Sequence, residues 1–184
     1  MTIDQIVTAL RTEHGKERVP GFDPSNGNER ARVLFLSESP GPRAVTSGYI
    51  SMDNEDPSAR NFRAQFEAEA GISRADIAIW NVVPWYVGTT DFSKLGKITA
   101  KDLRAGALWL PPVLAGMPDL QVVCFVGNSA QKAARLVQAE LLKRGVARID
   151  MWHTSAQAMA GAAGRQRWAV NVAELRLIAK HIAG

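Results

Sequence analysis

A chain of 184 residues, 46% hydrophobic and 22% charged, has the length and make-up of one globular domain, residues 1–184, with a full core. No apolar stretch reaches membrane-spanning length, and a single cysteine excludes an intramolecular disulfide, a four-cysteine metal site and a cysteine-held iron–sulfur cluster. The net charge of +4 and a pI near 9.5 suit an anionic partner such as nucleic acid, and equally suit a plain basic surface.

In chain order, Ile3, Ile6, Val7 and Leu10 fall at helical spacing and predict an amphipathic N-terminal helix. That stretch carries an acid and has no cleavage pattern, so it is not read as a secretory signal, and a cytoplasmic protein is expected. The segment V-P-G-F-D-P-S-N-G-N is turn chemistry. Four short apolar runs follow, at 33–36, 77–80, 122–126 and 147–152, and each leads through a loop into a helical pattern. Phe62, Phe66 and Ala70 line one face after the first run, where Asp56-Pro57 reads as an N-cap followed by proline at the first helical position. Leu103, Ala107 and Leu110 follow the second run; Ala130, Ala133, Val137 and Leu141 the third; Trp168, Val172, Leu175 and Ile182 the fourth. Alternation of this kind predicts an α/β fold, a three-layer α/β/α sandwich around a central four-stranded parallel sheet.

Ligands of open parallel sheets bind beyond the carboxyl ends of the strands. The first run breaks into Ser37-Glu38-Ser39-Pro40-Gly41. The second ends in Asn81, the third in Gly127-Asn128, and the fourth in His153-Thr154-Ser155. An acid, a carboxamide and an imidazole are therefore expected along one edge of the sheet.

These residues resemble the uracil-DNA glycosylase superfamily, over most of the chain and in the same order. Ser37-Glu38-Ser39-Pro40-Gly41 is similar to the G-E-A-P-G motif of its iron–sulfur branch. Gly48-Tyr49-Ile50-Ser51 is the nearest match to that branch's P-F-V-G, Asn81 matches the strand-end asparagine, and His153-Thr154-Ser155 matches the late H-P-S motif. The chain departs from these patterns in lacking the cluster cysteines, in Thr154 for proline, and in Ser39 where the best-known branch has aspartate. Gly41 also stands where one branch has a tyrosine that blocks thymine.

The resemblance implies a hydrolase that rotates uracil out of DNA and breaks its N-glycosidic bond, leaving an abasic site. It implies DNA, single- or double-stranded, as partner, a monomer, and neither cofactor nor metal. Breaking that bond builds positive charge on the sugar and negative charge on the base. Glu38 suits the sugar cation and the attacking water. Asp53 is the second candidate for water activation. His153 suits the anionic base as a hydrogen-bond donor to O2. Asn81 offers a donor and an acceptor together, matching uracil's O4 and N3–H and mismatching cytosine. Ser39 and Gly41 belong to the substrate turn. Tyr49 is expected either to stack on the extruded base or to pack under its loop. Trp85 and Tyr86 either line a DNA groove or fill core.

For DNA contact, Thr154, Ser155, Arg43, Arg165 and Arg167 are candidate phosphate partners. Gln157, or Met159 as the apolar alternative, is expected to fill the gap left by the flipped base, on a loop made pliant by Gly161 and Gly164. Three other readings compete. A serine hydrolase built on Ser37 or Ser39 with His153 lacks the G-x-S-x-G elbow. A nucleotide-binding module at 126–130 lacks a G-x-G-x-x-G or P-loop. The most serious rival is a non-catalytic relative that only binds uracil-containing or single-stranded DNA, and the presence of Glu38, Asn81 and His153 together argues against it.

Overall fold

The computed structural model describes residues 1–69 and 71–184. Ala70, expected on the inner face of the first crossover helix, lies outside the described residues. The four apolar runs are strands of one all-parallel sheet: β2 (Val33–Ser37), β4 (Ile77–Asn81), β5 (Val122–Val126) and β6 (Ala147–Met151), in the order β4-β2-β5-β6. Residues 33–36, 77, 78 and 80, and 122–125 are at most 1% exposed. This is why those strands read as continuous apolar runs rather than alternating ones. Two strands run one residue further than the sequence pattern, to Ser37 and Asn81, and these two polar residues pair across the sheet. The last strand stops at Met151, one residue short of its predicted end.

Helices cover both faces. Leu34, Leu36, Trp80, Val123 and Phe125 point to a core shared with α1 (Ile3–His14), α5 (Leu110–Ala115) and α6 (Asn128–Arg144). Val33, Phe35, Val122, Cys124 and Val126 point the other way, onto α3 (Pro57–Glu69) and α7 (Gly161–Ala183). The strand period of two thus splits one apolar run into two cores. α1 begins with a capping box built by Thr2 and Gln5.

The helix expected over 103–110 is two helices, α4 (Ala100–Ala107) and α5. Pro111-Pro112 lack the N–H groups that a continuous helix needs, so they occupy the first turn of a new one. Three short elements had no sequence pattern long enough to show: α2 (Pro42–Ser47), and β1 (Gly21–Phe22) paired with β3 (Tyr49–Ile50). Among the described residues, no helix is long and apolar enough to cross a membrane.

Candidate active site

Past the last strand pairs the ladder continues into the loops. Val82 N–H donates to the Ser37 carbonyl and Val83 N–H to the Glu38 carbonyl, both at 2.9 Å. The backbone that carries Glu38 is therefore held as firmly as a strand, although Pro40 ends the pairing. α4 presses on the far side of this junction. A side chain on Gly106 would meet the Val82 carbonyl at 2.2 Å, so only glycine lets the helix approach there.

A cavity of about 550 Å³ opens at this carboxyl edge of the sheet. Ser37, Ser39, Gly41 and Arg43 line it from the first strand end, Asn81 from the second, and His153 and Thr154 from the fourth. The opposite wall is the segment 50–59 with Phe62. A side chain on Gly41 would touch nothing within 4 Å, so the space beside this turn is open.

Asn81 is 2% exposed. Its Nδ2 donates to Ser37 Oγ at 2.6 Å, while its Oδ1 is withdrawn from solvent and has no partner. An unpaired buried acceptor costs about 1–3 kcal/mol. The carboxamide oxygen therefore has no bond to lose if it turns toward a base edge in the cavity.

His153 is fixed by its own loop. The Ser155 N–H donates to its Nδ1 at 3.0 Å, so the neutral ring carries its proton on Nε2. Among the described residues, Nε2–H finds no acceptor. Desolvation pushes the imidazole pKa below its ordinary value, and the charges of Glu38 and then Asp56 oppose that shift. The ring rests directly on Gly127, where φ is +89°; a Cβ there would stand 3.0 Å from both His153 Cβ and Cδ2. Here glycine is required twice, by conformation and by contact.

Glu38 is half-buried. It stands between Ser37 and Ser39 at the rim rather than in the wall, close enough for its charge to act on His153. Among the described residues, none donates a hydrogen bond to its carboxylate. Asp56 does line the wall, but its Oδ1 is occupied by the Ser58 and Ala59 N–H groups as the cap of α3.

The remaining candidates separate cleanly. Asp53 lies outside the lining, exposed, and paired with Arg74 at 2.7 Å and Arg63 at 3.5 Å; these partners hold it away from the cavity. Tyr49 is 44% exposed and also outside the lining. In the two-residue strand β3 its neighbour Ile50 takes the inward position, and the rings that reach the cavity are Phe35 and Phe62, set edge to face with centroids 5.0 Å apart. Trp85 is core, stacked on His14 at 3.8 Å, and Tyr86 is buried with its hydroxyl donating to the Lys94 carbonyl.

Thr154 is buried and its hydroxyl donates to the Ser58 carbonyl at 2.9 Å, so its hydroxyl proton is already committed within the fold. Ser155 Oγ accepts from Ala158 N–H within the same turn. Met159 is half-buried, its sulfur accepting from Gln65, whereas Gln157 is exposed at the loop tip. Arg43 and Arg165 are exposed; Arg167 lies over the Trp152 ring and donates to the Ala158 carbonyl. No cluster of three or more His, Cys, Asp or Glu side chains fit for a metal occurs among the described residues.

Several contributors were hidden in the sequence. Gly127 reads there as an ordinary strand-to-helix glycine, Phe35 and Phe62 as plain core, and Asp56 as a competing acid better explained as a helix cap. Ser37 reads as a motif residue; its bond to Asn81 follows from cross-strand register.

The family model of the uracil-DNA glycosylase superfamily matches residues 24–174. The fold is also similar to the crystal structure of wild-type SMUG2 from Pedobacter heparinus. That alignment has a TM-score of 0.58, covers 97% of this chain and 84% of that one, and has 13% sequence identity, so the likeness is one of fold. No curated protein gives a significant match. A match over residues 24–174, spanning every strand of the central sheet and every residue named around the cavity, is decisive: the chain belongs to the uracil-DNA glycosylase superfamily.

Proposed function

We propose that this protein is a monofunctional uracil-DNA glycosylase, which takes uracil from DNA and hydrolyses the bond between its ring nitrogen and the sugar. The observation that carries the reading is the locked His153 imidazole, with Nε2–H free, in the same cavity as Asn81. A base seated there receives the Nε2–H at O2. Asn81 Oδ1 accepts its N3–H, and the amide's remaining N–H meets O4. Cytosine would bring a lone pair against Oδ1 and an amine against the N–H, so the same amide rejects it.

The chemistry balances with one water. Its oxygen attacks C1′ as the glycosidic bond breaks, and its proton passes to the Glu38 carboxylate. The bonding pair leaves with the base as an anion, stabilised by the neutral His153 donor. Glu38 suits this role better than Asp56, whose oxygen already serves the helix N-terminus. Exposed Arg43 and Arg165 are the phosphate contacts of this reading and exposed Gln157 the residue that enters the stack, so affinity should fall steeply with salt.

The test is a uracil-bearing oligonucleotide, single- and double-stranded, incubated with the protein and then treated with alkali. Strand cleavage at the uracil position is expected, with Asn81→Asp losing preference for uracil over cytosine. Binding without abasic sites would replace this reading with that of a non-catalytic DNA-binding relative.

A further inference from the structure

Two carboxamides, Gln65 and Asn171, are each 0% exposed. Both lie in the layer where α3 and α7 otherwise bury Phe62, Phe66, Leu175 and Ile178. Side chains of this kind stay buried only with their hydrogen bonds made. Asn171 treats Trp152 as a neighbouring strand would. Its Oδ1 accepts from the Trp152 N–H at 2.8 Å, and its Nδ2 donates to the Trp152 carbonyl at 3.0 Å. The second Nδ2 proton goes to Gln65 Oε1 at 3.1 Å, and Gln65 Nε2 reaches the Met159 sulfur at 3.5 Å. β6 has ended one residue earlier, and the residue after Trp152 is His153.

The pair belongs to a larger pattern. On α3, Asn61 Nδ2 donates to the Thr154 carbonyl at 2.8 Å, and the Ser58 carbonyl receives the Thr154 hydroxyl. On α7, Arg167 donates to the Ala158 carbonyl. At Gly164 a Cβ would stand 2.1 Å from the Met159 carbonyl carbon and oxygen, so this helix meets the loop backbone directly. Residues 58, 61 and 65 share one face of α3, and 164, 167 and 171 share one face of α7, both at helical spacings of three and four. Two helix faces thus hold the loop 152–159 from both sides, while Gln157 at its tip remains exposed.

We infer that Asn171, backed by Gln65, is a positioning residue for His153, fixing the strand-end backbone so that the Ser155 N–H meets Nδ1 and Nε2–H faces the cavity. The inference rests on the proposed glycosylase reading for its consequence in catalysis, but not for its structural content. A displaced imidazole should lower turnover while leaving DNA binding to the rest of the surface.

The experiment uses the full chain with Asn171→Leu, which keeps the branched outline of the side chain, with bulkier methyl ends, and removes both bonds to Trp152. Nitrogen-15 NMR of the three histidines reads the His153 tautomer and titration, and uracil release reads kcat and KM. Wild type should show Nε2–H alone and a midpoint below that of free histidine. In the variant both tautomers should appear, with the midpoint, which Glu38 and Asp56 also influence, moved up toward the free value. kcat should fall by about tenfold to a hundredfold with KM little changed. Unchanged tautomer and kcat, even with a lowered melting temperature, would overturn the inference and leave Asn171 as packing. If Asn171→Leu does not fold, Gln65→Met must show the same changes at smaller size; a wild-type His153 spectrum in that variant overturns it equally. Because the NMR readout needs no substrate, a wild-type protein that releases no uracil would fail the glycosylase reading while the His153 result still decides this one.

Discussion

The loop after β2 sets Glu38 at the rim of the cavity and the loop after β6 sets His153 in its wall, and they hold these side chains in opposite ways. His153 is constrained at every level. Gly127 sits under the ring, Ser155 fixes the tautomer, and α3 and α7 grip the segment around it. Glu38 is constrained only in its backbone, through the Val83 N–H, and no neighbour among the described residues bonds its carboxylate. The contrast matches the two tasks that the proposed reaction would assign them. A donor aimed at a developing anion gains most from being fixed in advance. A carboxylate that must orient a water and then take its proton needs its lone pairs unspent.

The largest effect expected from breaking this contrast is at the free acid. Glu38→Gln keeps the shape and removes the proposed base, and uracil release should fall by about two to four orders of magnitude while DNA affinity holds. Single-turnover cleavage and a binding titration measure the two separately. Near-normal turnover would move the water to Asp56. Next comes the floor under the imidazole. Gly127→Ala puts a methyl group 3.0 Å from the His153 ring and strains a backbone that L-residues avoid. It should cost about 1–3 kcal/mol of stability by thermal unfolding and roughly tenfold or more in kcat.

A smaller effect concerns pH. In the proposed reaction the neutral His153 is the donor, and its protonation at Nδ1 would expel the Ser155 N–H. Activity should therefore fall on the acid side, below the pKa of free histidine, because burial depresses the folded value. Stability follows the same sign. The unfolded chain takes up the proton first as pH drops, so this stabilisation is present at neutral pH and is lost below that of free histidine. Asp56→Asn sharpens the comparison. Asparagine still caps α3, but one of the two anions that raise the His153 pKa is gone, so the acid limb of the kcat profile should move to lower pH with the plateau unchanged.

These residues also show what a sequence discloses. The sheet was readable because buried parallel strands leave continuous apolar runs, and the positions of Asn81 and His153 followed from where those runs end. β1 and β3, two residues each, are too short for any period to appear, so nothing local said that Ile50 rather than Tyr49 would turn inward. Gln65 and Asn171 carry side chains typical of a surface, and only the three-dimensional meeting of α3, α7 and Trp152 gives them an interior use. Asp53 shows the same gap. Its arginine partners stand 10 and 21 residues further along the chain, at distances that no local pattern reports.

Asp53 also supplies the smallest expected effect, and one that can break the comparison from the other side. Its side chain is 44% exposed and shared between two arginines, one of which, Arg74, is held independently by buried Asp23 at 3.0 Å. Exposed ion pairs of this kind contribute about 0–1 kcal/mol, so Asp53→Asn should lower the unfolding temperature slightly and leave kcat within about twofold. Arg74 would remain anchored, and with it the segment 51–54 through Ser51, whose hydroxyl donates to the same Asp23. Should Asp53→Asn instead lose uracil release to the extent expected of Glu38→Gln, the wall carrying 50–59 must close over the substrate far enough to bring Asp53 inside. The free carboxylate of the first strand end would then not be the group that holds the water.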